Sequence, residues 1–418
     1  MKACFSNIKS HFAGNKIESI LLFLFSLLAF MLPVHKKIIS PIIAVLLVFL
    51  VFINIKNNSF KQVRLSLVNI ALMILYTLYA IGISYTENIK AGLFDLEVKM
   101  SLIIMPVAFM LAFPYIKHNF KETVLKAFVA GCIVSSLFLL TNSTLRYFLH
   151  GHNIDEFFYT KLSPHFHPSY LALYLNFAII ILVYFALNKW RNFNVLKKVS
   201  CFICITFLAL IVFLLNSKAG ILIMLVSTTA YMLVIIFSSS KKIIGIVAVL
   251  SIAVFSIAIW HSIPGLKNRF MVSINSLKTY SNKAINPEEG TLQRIVIWKH
   301  SLSIIKNNML LGVGTGDVRK ELDDKYLQEK FMHGVETHLN AHNQFLQTAI
   351  AIGILGLTVL VFVIFYLMFI GIKHKKLIIF FFALIIFLNF LFESMLETQA
   401  GTVFTTFFIS FFGLNKKD

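Results

Sequence analysis

The chain has 418 residues, of which 58% belong to the set AVILMFWYC, 43 are Phe and only 13% are charged. Soluble domains average about 45–50% apolar and about 25% charged residues, so this balance excludes an ordinary globular enzyme and a disordered chain. A formal charge of +20 suits either a nucleic-acid binder or a membrane topology signal, and its distribution decides between them.

Runs of about 17–25 apolar residues can cross the roughly 30 Å hydrocarbon core as helices. Twelve such runs, some of them short, are predicted at 19–33, 38–55, 66–84, 100–116, 123–141, 169–187, 199–216, 219–238, 243–260, 345–370, 377–392 and 400–414. The expected fold is therefore all-α, a polytopic bundle of about twelve transmembrane helices forming one membrane domain over 1–418. The first run follows Lys16 and Glu18 and has no small-residue cleavage pattern after Pro33, so it reads as a signal anchor. An even number of crossings puts both termini on one side.

With a cytoplasmic N-terminus, the inner segments hold Lys2, Lys9, Lys16, Lys56, Lys61, Arg64, Lys117, Lys121, Lys126, Lys189, Arg191, Lys197, Lys198, Lys241, Lys242, Lys373, Lys375, Lys376, Lys416 and Lys417 against Glu18, Glu122 and Asp418, a net of +17. The short outer segments sum to zero, and the long outer segment 261–344, between the ninth and tenth helices, carries the remaining +3. This is the positive-inside pattern of a multi-pass membrane protein, so the net charge is mostly a topology signal and leaves no nucleic-acid partner to infer. Cys4, Cys132, Cys201 and Cys204 are too few for a disulfide framework. The Cys201-x-x-Cys204 pair sits in an apolar run and reads as helix packing.

Two outer segments exceed simple turns, and loops of that length tend to be functional or disordered. Residues 143–168 hold His150, His152, His165 and His167. In 261–344, Leu292, Ile295, Trp298, Leu302, Ile305 and Met309 recur every three or four residues, predicting an amphipathic helix that lies on the membrane or caps the bundle. Gly312-x-Gly314-x-Gly316 ends it in a tight turn, and Asp317 to Lys330 reads as a solvated helix. No internal repeat supports an inverted-repeat transporter.

Several residues could carry chemistry. The glycine cluster lacks both the Lys-Ser/Thr of a P-loop and the spacing of a dinucleotide site. His338 and His342 would share a helix face as zinc ligands do, but Leu339 stands where a zincin has its glutamate. A His-Asn pair before a membrane helix also serves as an interfacial cap. Lys218, in Asn216-Ser217-Lys218-Ala219-Gly220, lies between two apolar runs, where an ionisable group marks a functional site or snorkels to the interface. Arg294 could meet substrate or lipid headgroups. Glu393 and Glu397, at the outer end of the eleventh run, want a cation or a proton. Asp95-Leu96-Glu97 in a short amphipathic loop is a second acidic pair and the fallback place for a divalent metal.

The order Leu214-Leu-Asn-Ser-Lys-Ala-Gly220, Leu292-Gln-Arg294-Ile-x-Ile-Trp298, Leu311-Gly-Val-Gly-Thr-Gly316 and His338-Leu-Asn-Ala-His342-Asn343-Gln-Phe-Leu-Gln347, followed by Gly353-Ile-Leu-Gly356, resembles the O-antigen ligase/polymerase family over about 205–400. The resemblance implies a metal-independent, cofactor-free glycosyltransferase of the GT-C type. Such an enzyme moves a glycan from undecaprenyl pyrophosphate to an acceptor, lipid A-core or a growing glycan, at the periplasmic face. It further implies that Lys218 and Arg294 hold the pyrophosphate, that His342 is required, and that Glu393 is the acid before the last helix. The family usually has Arg where this chain has Lys218, and Lys keeps the charge but loses the two-pronged fork.

The residues themselves agree with that expectation. A lipid pyrophosphate is already a good leaving group, so cations matter more than a general acid. The acceptor hydroxyl needs a base, for which a neutral histidine is suited. His342 is the expected base, His338 its reserve and Asn343 a group that fixes the ring or binds substrate. Ligase, polymerase and protein O-oligosaccharyltransferase remain open on sequence, and a polysaccharide or lipid transporter gated by Lys218 and Glu393, or a non-enzymatic scaffold, stands as the reading from another class.

Overall fold

A computed structural model describes residues 2–116, 119–149, 153–189, 193–238, 242–262, 264–278 and 290–414. His150 and His152, and the counted charges Lys117, Arg191, Lys241, Lys416, Lys417 and Asp418, lie outside the described residues. Among the described residues the secondary structure is helical, with no strand.

The first half comprises α1 (Lys2–Met31), α2 (Lys36–Asn57), α3 (Leu67–Gly82), α4 (Ile89–Lys99), α5 (Ser101–Ala112), α6 (Phe120–Leu149), the single turn α7 (Tyr159–Leu162), α8 (Pro168–Lys189) and α9 (Val195–Leu214). The second half comprises α10 (Lys218–Ser238), α11 (Lys242–Ser262), α12 (Pro264–Lys278), α13 (Gly290–Asn307), α14 (Val318–Gln328), α15 (Met332–Thr337), α16 (Gln344–Lys373), α17 (Leu377–Phe390) and α18 (Gln399–Gly413). Each of the twelve apolar runs falls on a helix. Among the described residues eight helical stretches are long and apolar enough to cross a membrane, and Gly245–Ala258 and Leu377–Phe390 are shorter apolar helices. The protein is an all-α polytopic membrane protein.

The core forms around α18, the last apolar run, whose residues from Gly401 to Leu414 are all buried. Its aromatic residues meet those of five other helices, α1, α5, α6, α8 and α17. Phe404 stacks 4.5 Å from Tyr174 and Phe408 lies 4.9 Å from both Phe128 and Phe177, while Phe407 and Phe412 reach Phe109 and Phe382 at 5.3 Å. In lipid, where apolar burial alone drives little association, such close packing holds helices together. At Gly131 a Cβ would come 2.2 Å from the Phe30 carbonyl oxygen, so α6 approaches α1 only because that residue is glycine.

The Gly312–Gly316 segment forms the expected tight turn, and it also repairs a break in α16. Ile352 and Gly353 leave helical geometry there, Gly353 at φ +65°. The carbonyls freed by the break are taken by the glycine turn, with Val313 N–H donating to Ile350 O (2.8 Å) and Gly314 N–H to Ala351 O (3.1 Å), while Ile354 N–H turns to Met309 O (2.9 Å). Broken membrane helices need such replacement partners. A Cβ at Gly353 would sit 2.2 Å from Leu310 O, so the site demands glycine twice over.

Four expectations need correction. The buried face of α13 is Leu292, Val296, Ile297, His300, Ser301 and Ile304, whereas Leu302 and Met309 are exposed. The face is set by contact with α16, and buried His300 and Ser301 made its polar positions unreadable by hydropathy. Asp95 and Glu97 lie on helix α4, not in a loop, and residues two apart do not share a helix face. Asp95 turns inward to Lys99 and Glu97 outward. His338 and His342 are not on one helix, because residues 338–343 are irregular and α16 starts only at Gln344. Finally, the charged stretch 317–330 is solvated on one side only, α14 burying Val318, Leu322 and Tyr326.

The starts of α8, α10, α16 and α18 and the end of α17 lie at one end of the bundle. The opposite end carries Lys189, Lys197, Lys198, Lys242, Lys373, Lys375 and Lys376. There Lys189 pairs with Glu122 (2.6 Å) and Lys121 donates to Leu414 O (2.7 Å). The α12–α15 region covers the first end.

Candidate functional site

A cavity of about 430 Å³ opens at the end of the bundle opposite the lysine-rich turns. It is lined by Lys218, Arg294, His342 and Glu393, together with His167, Tyr159, Ser169, Ser217 and Gln293 among others. Its size falls in the range of about 300–1,000 Å³ typical of small-molecule sites. Four of the six residues singled out from sequence therefore meet in one place.

Glu393 is the hub of one wall. It lies just past α17, its side chain only 5% exposed, and its two oxygens serve two partners. Arg294 Nη2 donates to Oε1 at 2.9 Å, and His342 Nδ1 lies 3.3 Å from Oε2. Burial pushes this carboxyl upward, but the hydrogen bond from His342 and the charges of Arg294 and His342 outweigh it, bringing the pKa down to about 2. An ionised carboxylate only accepts hydrogen bonds, so the Nδ1 of His342 carries a proton, and in the neutral ring the Nε2 keeps the free lone pair.

The local chain explains why His342 stays in place. Residues 338–343 run irregularly between α15 and α16, with His338 and His342 both at positive φ. Trp298 Nε1–H donates to Ala341 O (3.1 Å) and Ala341 N–H to Gln347 Oε1 (3.0 Å), while Asn340 Oδ1 accepts from His342 N–H (2.9 Å). Asn343 is the N-cap of α16, its Oδ1 accepting from Leu346 N–H. Its own N–H and Nδ2 tie it to Ser394 Oγ and Leu391 O at 3.2 Å. Asn343 thus joins the His342 segment to the Glu393 segment and does not line the cavity.

The other wall is made by the N-termini of α8 and α10. Lys218 opens α10, and its Nζ donates to Ser273 Oγ of α12 and to Thr291 Oγ1 of α13 (3.3 Å). Ser169 and Ser217 hydroxyls, 3.2 Å apart, join the two helix ends. His167 precedes α8, and its Nδ1 accepts from Ser169 N–H (3.4 Å).

His338 is placed elsewhere. Its side chain is 48% exposed and its Nδ1 lies 2.8 Å from Asp323 Oδ2, outside the cavity lining. Glu397 also parts from Glu393 and pairs with Lys99 (2.9 Å), which in turn holds Asp95 (2.5 Å) and lies 4.8 Å from the Tyr79 ring centre. Sequence reasoning noted His167 only as one of four loop histidines. The available signal was its position directly before Pro168 and an apolar run, where a helix N-terminus points its donors.

The fold and its cavity define a polytopic membrane protein with a charged cavity at one end of its helix bundle. Residues 202–361 match the family described as O-antigen ligase, and this match supports the resemblance to the O-antigen ligase/polymerase family of multi-pass bacterial inner-membrane proteins. The activity of that family is glycan transfer of the glycosyltransferase type, with lipid-linked glycans and membrane lipids as its partners. No curated protein matches the chain. The matched stretch contains Lys218, Arg294, His338, His342 and Asn343 and stops short of Glu393, which the fold brings to it.

Proposed function

We propose that this protein is a metal-independent O-antigen ligase, transferring a glycan from undecaprenyl pyrophosphate to a hydroxyl of lipid A-core at the periplasmic face. The observation that carries the chemistry is the Arg294–Glu393–His342 array, which lines one cavity with Lys218. Glu393 fixes the His342 tautomer so that Nε2 is the base. In the transfer step the acceptor oxygen forms a bond to the anomeric carbon while His342 Nε2 takes its proton. The bond from that carbon to the phosphate oxygen breaks, and its electron pair leaves with the lipid pyrophosphate. Lys218 and Arg294 offset the charge on the departing oxygens, the task that a divalent ion serves elsewhere.

The periplasmic assignment rests on the cavity lying at the end of the bundle away from the cationic turns, since basic residues favour the cytoplasm. The 261–344 segment, inserted between the ninth and tenth apolar runs, is then the periplasmic cap, and 1–418 is one membrane domain. Surface-glycan banding of a deletion strain tests the acceptor. Loss of every glycan-bearing band is expected for a ligase. Retention of a single repeat unit would make the protein a polymerase, and loss of glycan from proteins alone a protein O-oligosaccharyltransferase. Transfer by purified protein is expected to survive EDTA, and loss restored by Mg²⁺ would overturn metal independence.

A further inference from the structure

The cavity brings together two groups of residues. Glu393 pairs with Arg294 at 2.9 Å and holds His342. Lys218 opens α10 beside the start of α8, where the Ser169 and Ser217 hydroxyls touch, and His167 lines the same cavity. The His167 ring is held edge-on by Tyr159 and Tyr170, with ring centres 6.5 and 6.0 Å away. Its carbonyl accepts the first helical N–H groups of α8, from Tyr170 (3.0 Å) and Leu171 (3.3 Å). Its Nδ1 is committed to Ser169 N–H, so in the neutral ring the proton is on Nε2.

We propose that His167 is a neutral hydrogen-bond donor to the pyrophosphate, which seats by the N-termini of α8 and α10 with Lys218 and Arg294 as its cations, leaving the His342 base to the acceptor. This rests on the transferase reading above. Helix N-termini favour phosphate through their dipole and free N–H groups, and Lys218 and Arg294 supply the full charges. Burial keeps the ring neutral by lowering its pKa. Of the charged groups that face it, Glu393 opposes this, while His342 and Arg294 reinforce it. His167 is thus a donor that does not compete with His342 as base.

The test uses purified full-length protein and two probes, inorganic pyrophosphate and the undecaprenyl-pyrophosphate glycan. His167→Phe keeps the ring packing and the backbone cap and removes both nitrogens, and His167→Gln restores a donor. Pyrophosphate is expected to raise the melting temperature of the wild type, of His167→Gln and of His342→Ala, but not of His167→Phe. With the glycan donor, His167→Phe should raise the donor KM about 10-fold or more, leave the acceptor KM unchanged and keep the acid limb of the pH profile, with Gln recovering most of the loss. An equal pyrophosphate response in wild type and His167→Phe, an unchanged donor KM or a displaced acid limb would overturn the proposal. No pyrophosphate response in the wild type would instead remove the transferase reading on which it rests.

Discussion

Replacing Glu393 by Gln is the sharpest perturbation of the site. Gln keeps the shape of the side chain but removes the charge that faces Arg294 at 2.9 Å and the acceptor that fixes His342. The shift of the Glu393 pKa from 4.5 to about 2 corresponds to roughly 3 kcal/mol favouring the ionised form. Removing one partner of a buried pair typically costs about 3–5 kcal/mol of stability. Here Arg294 Nε is already buried without a hydrogen-bond partner, so the low end is expected. The catalytic cost is larger. An amide can present its N–H to Nδ1, which forces the proton onto Nε2 and abolishes the base, an effect of about 10⁴-fold in hydrolytic triads. Because the carboxyl's pKa is lower in the fold than in the unfolded chain, its contribution to stability is complete above about pH 4.5 and drains away as pH falls towards about 2. The wild type should therefore lose more stability through that window than Glu393→Gln, in which only the other lowered carboxylates, such as Asp317, titrate. Melting curves in detergent from pH 3 to 8 and single-turnover transfer measure the two effects. A well-folded Glu393→Gln protein transferring within a few-fold of wild type would refute the assignment of His342 as a base oriented by Glu393.

His342→Ala should lose about 10²–10⁴-fold in transfer while inserting normally, whereas His338→Ala, on Asp323 outside the cavity, should stay within a few-fold; equal losses in the two would reopen the choice of base. Arg294→Ala should abolish transfer and Lys218→Arg should be tolerated, since it restores a phosphate fork beside the Ser273 and Thr291 hydroxyls. Lys99→Met should lower stability by about 3–5 kcal/mol, because it strands Asp95 and Glu397 together in a buried site, and an unchanged melting temperature would show that the pair relaxes. Cysteines at exposed Gln328 and Lys330 should react with an impermeant maleimide in spheroplasts and those at Lys197 and Lys375 should not, and the reverse pattern would invert the topology.

The helices were legible because lipid demands long apolar runs with internally satisfied backbones, and all twelve runs proved helical. The cavity residues Arg294, Lys218, His342 and Glu393 stood out in the sequence because charge and histidine are conspicuous against an apolar background. The missed features were those whose partners lie far away in sequence. Nothing local says that Val313 and Gly314 repair a break 40 residues on, or that Lys99 rather than Arg294 takes Glu397. Helix α12, which brings Ser273 to Lys218, has a weak apolar stripe. His167 was hidden by distance too, since its neighbours in the cavity come from α10, α13 and the segments flanking α16 and α17.

The separation of Glu393 from Glu397 shows how the fold turns an i, i+4 acidic pair into two different devices. Past the end of α17 the chain leaves the helix, so the two carboxylates no longer share a face. Leu396 N–H donates to Gln344 Oε1 (2.7 Å), Thr402 Oγ1–H to Leu396 O (3.0 Å), and Glu397 is held by Lys99. These bonds fix the segment on its buried side, and Ser394 Oγ accepts from Asn343 N–H on the other. Glu393 is thereby presented to Arg294 and His342 from a segment anchored by α4, α16 and α18, without a long flexible loop. A base positioned within a few tenths of an ångström needs such support, because small displacements of a reacting group cost rate steeply. The buried Lys99 cluster is therefore the mechanical counterpart of the chemistry at His342.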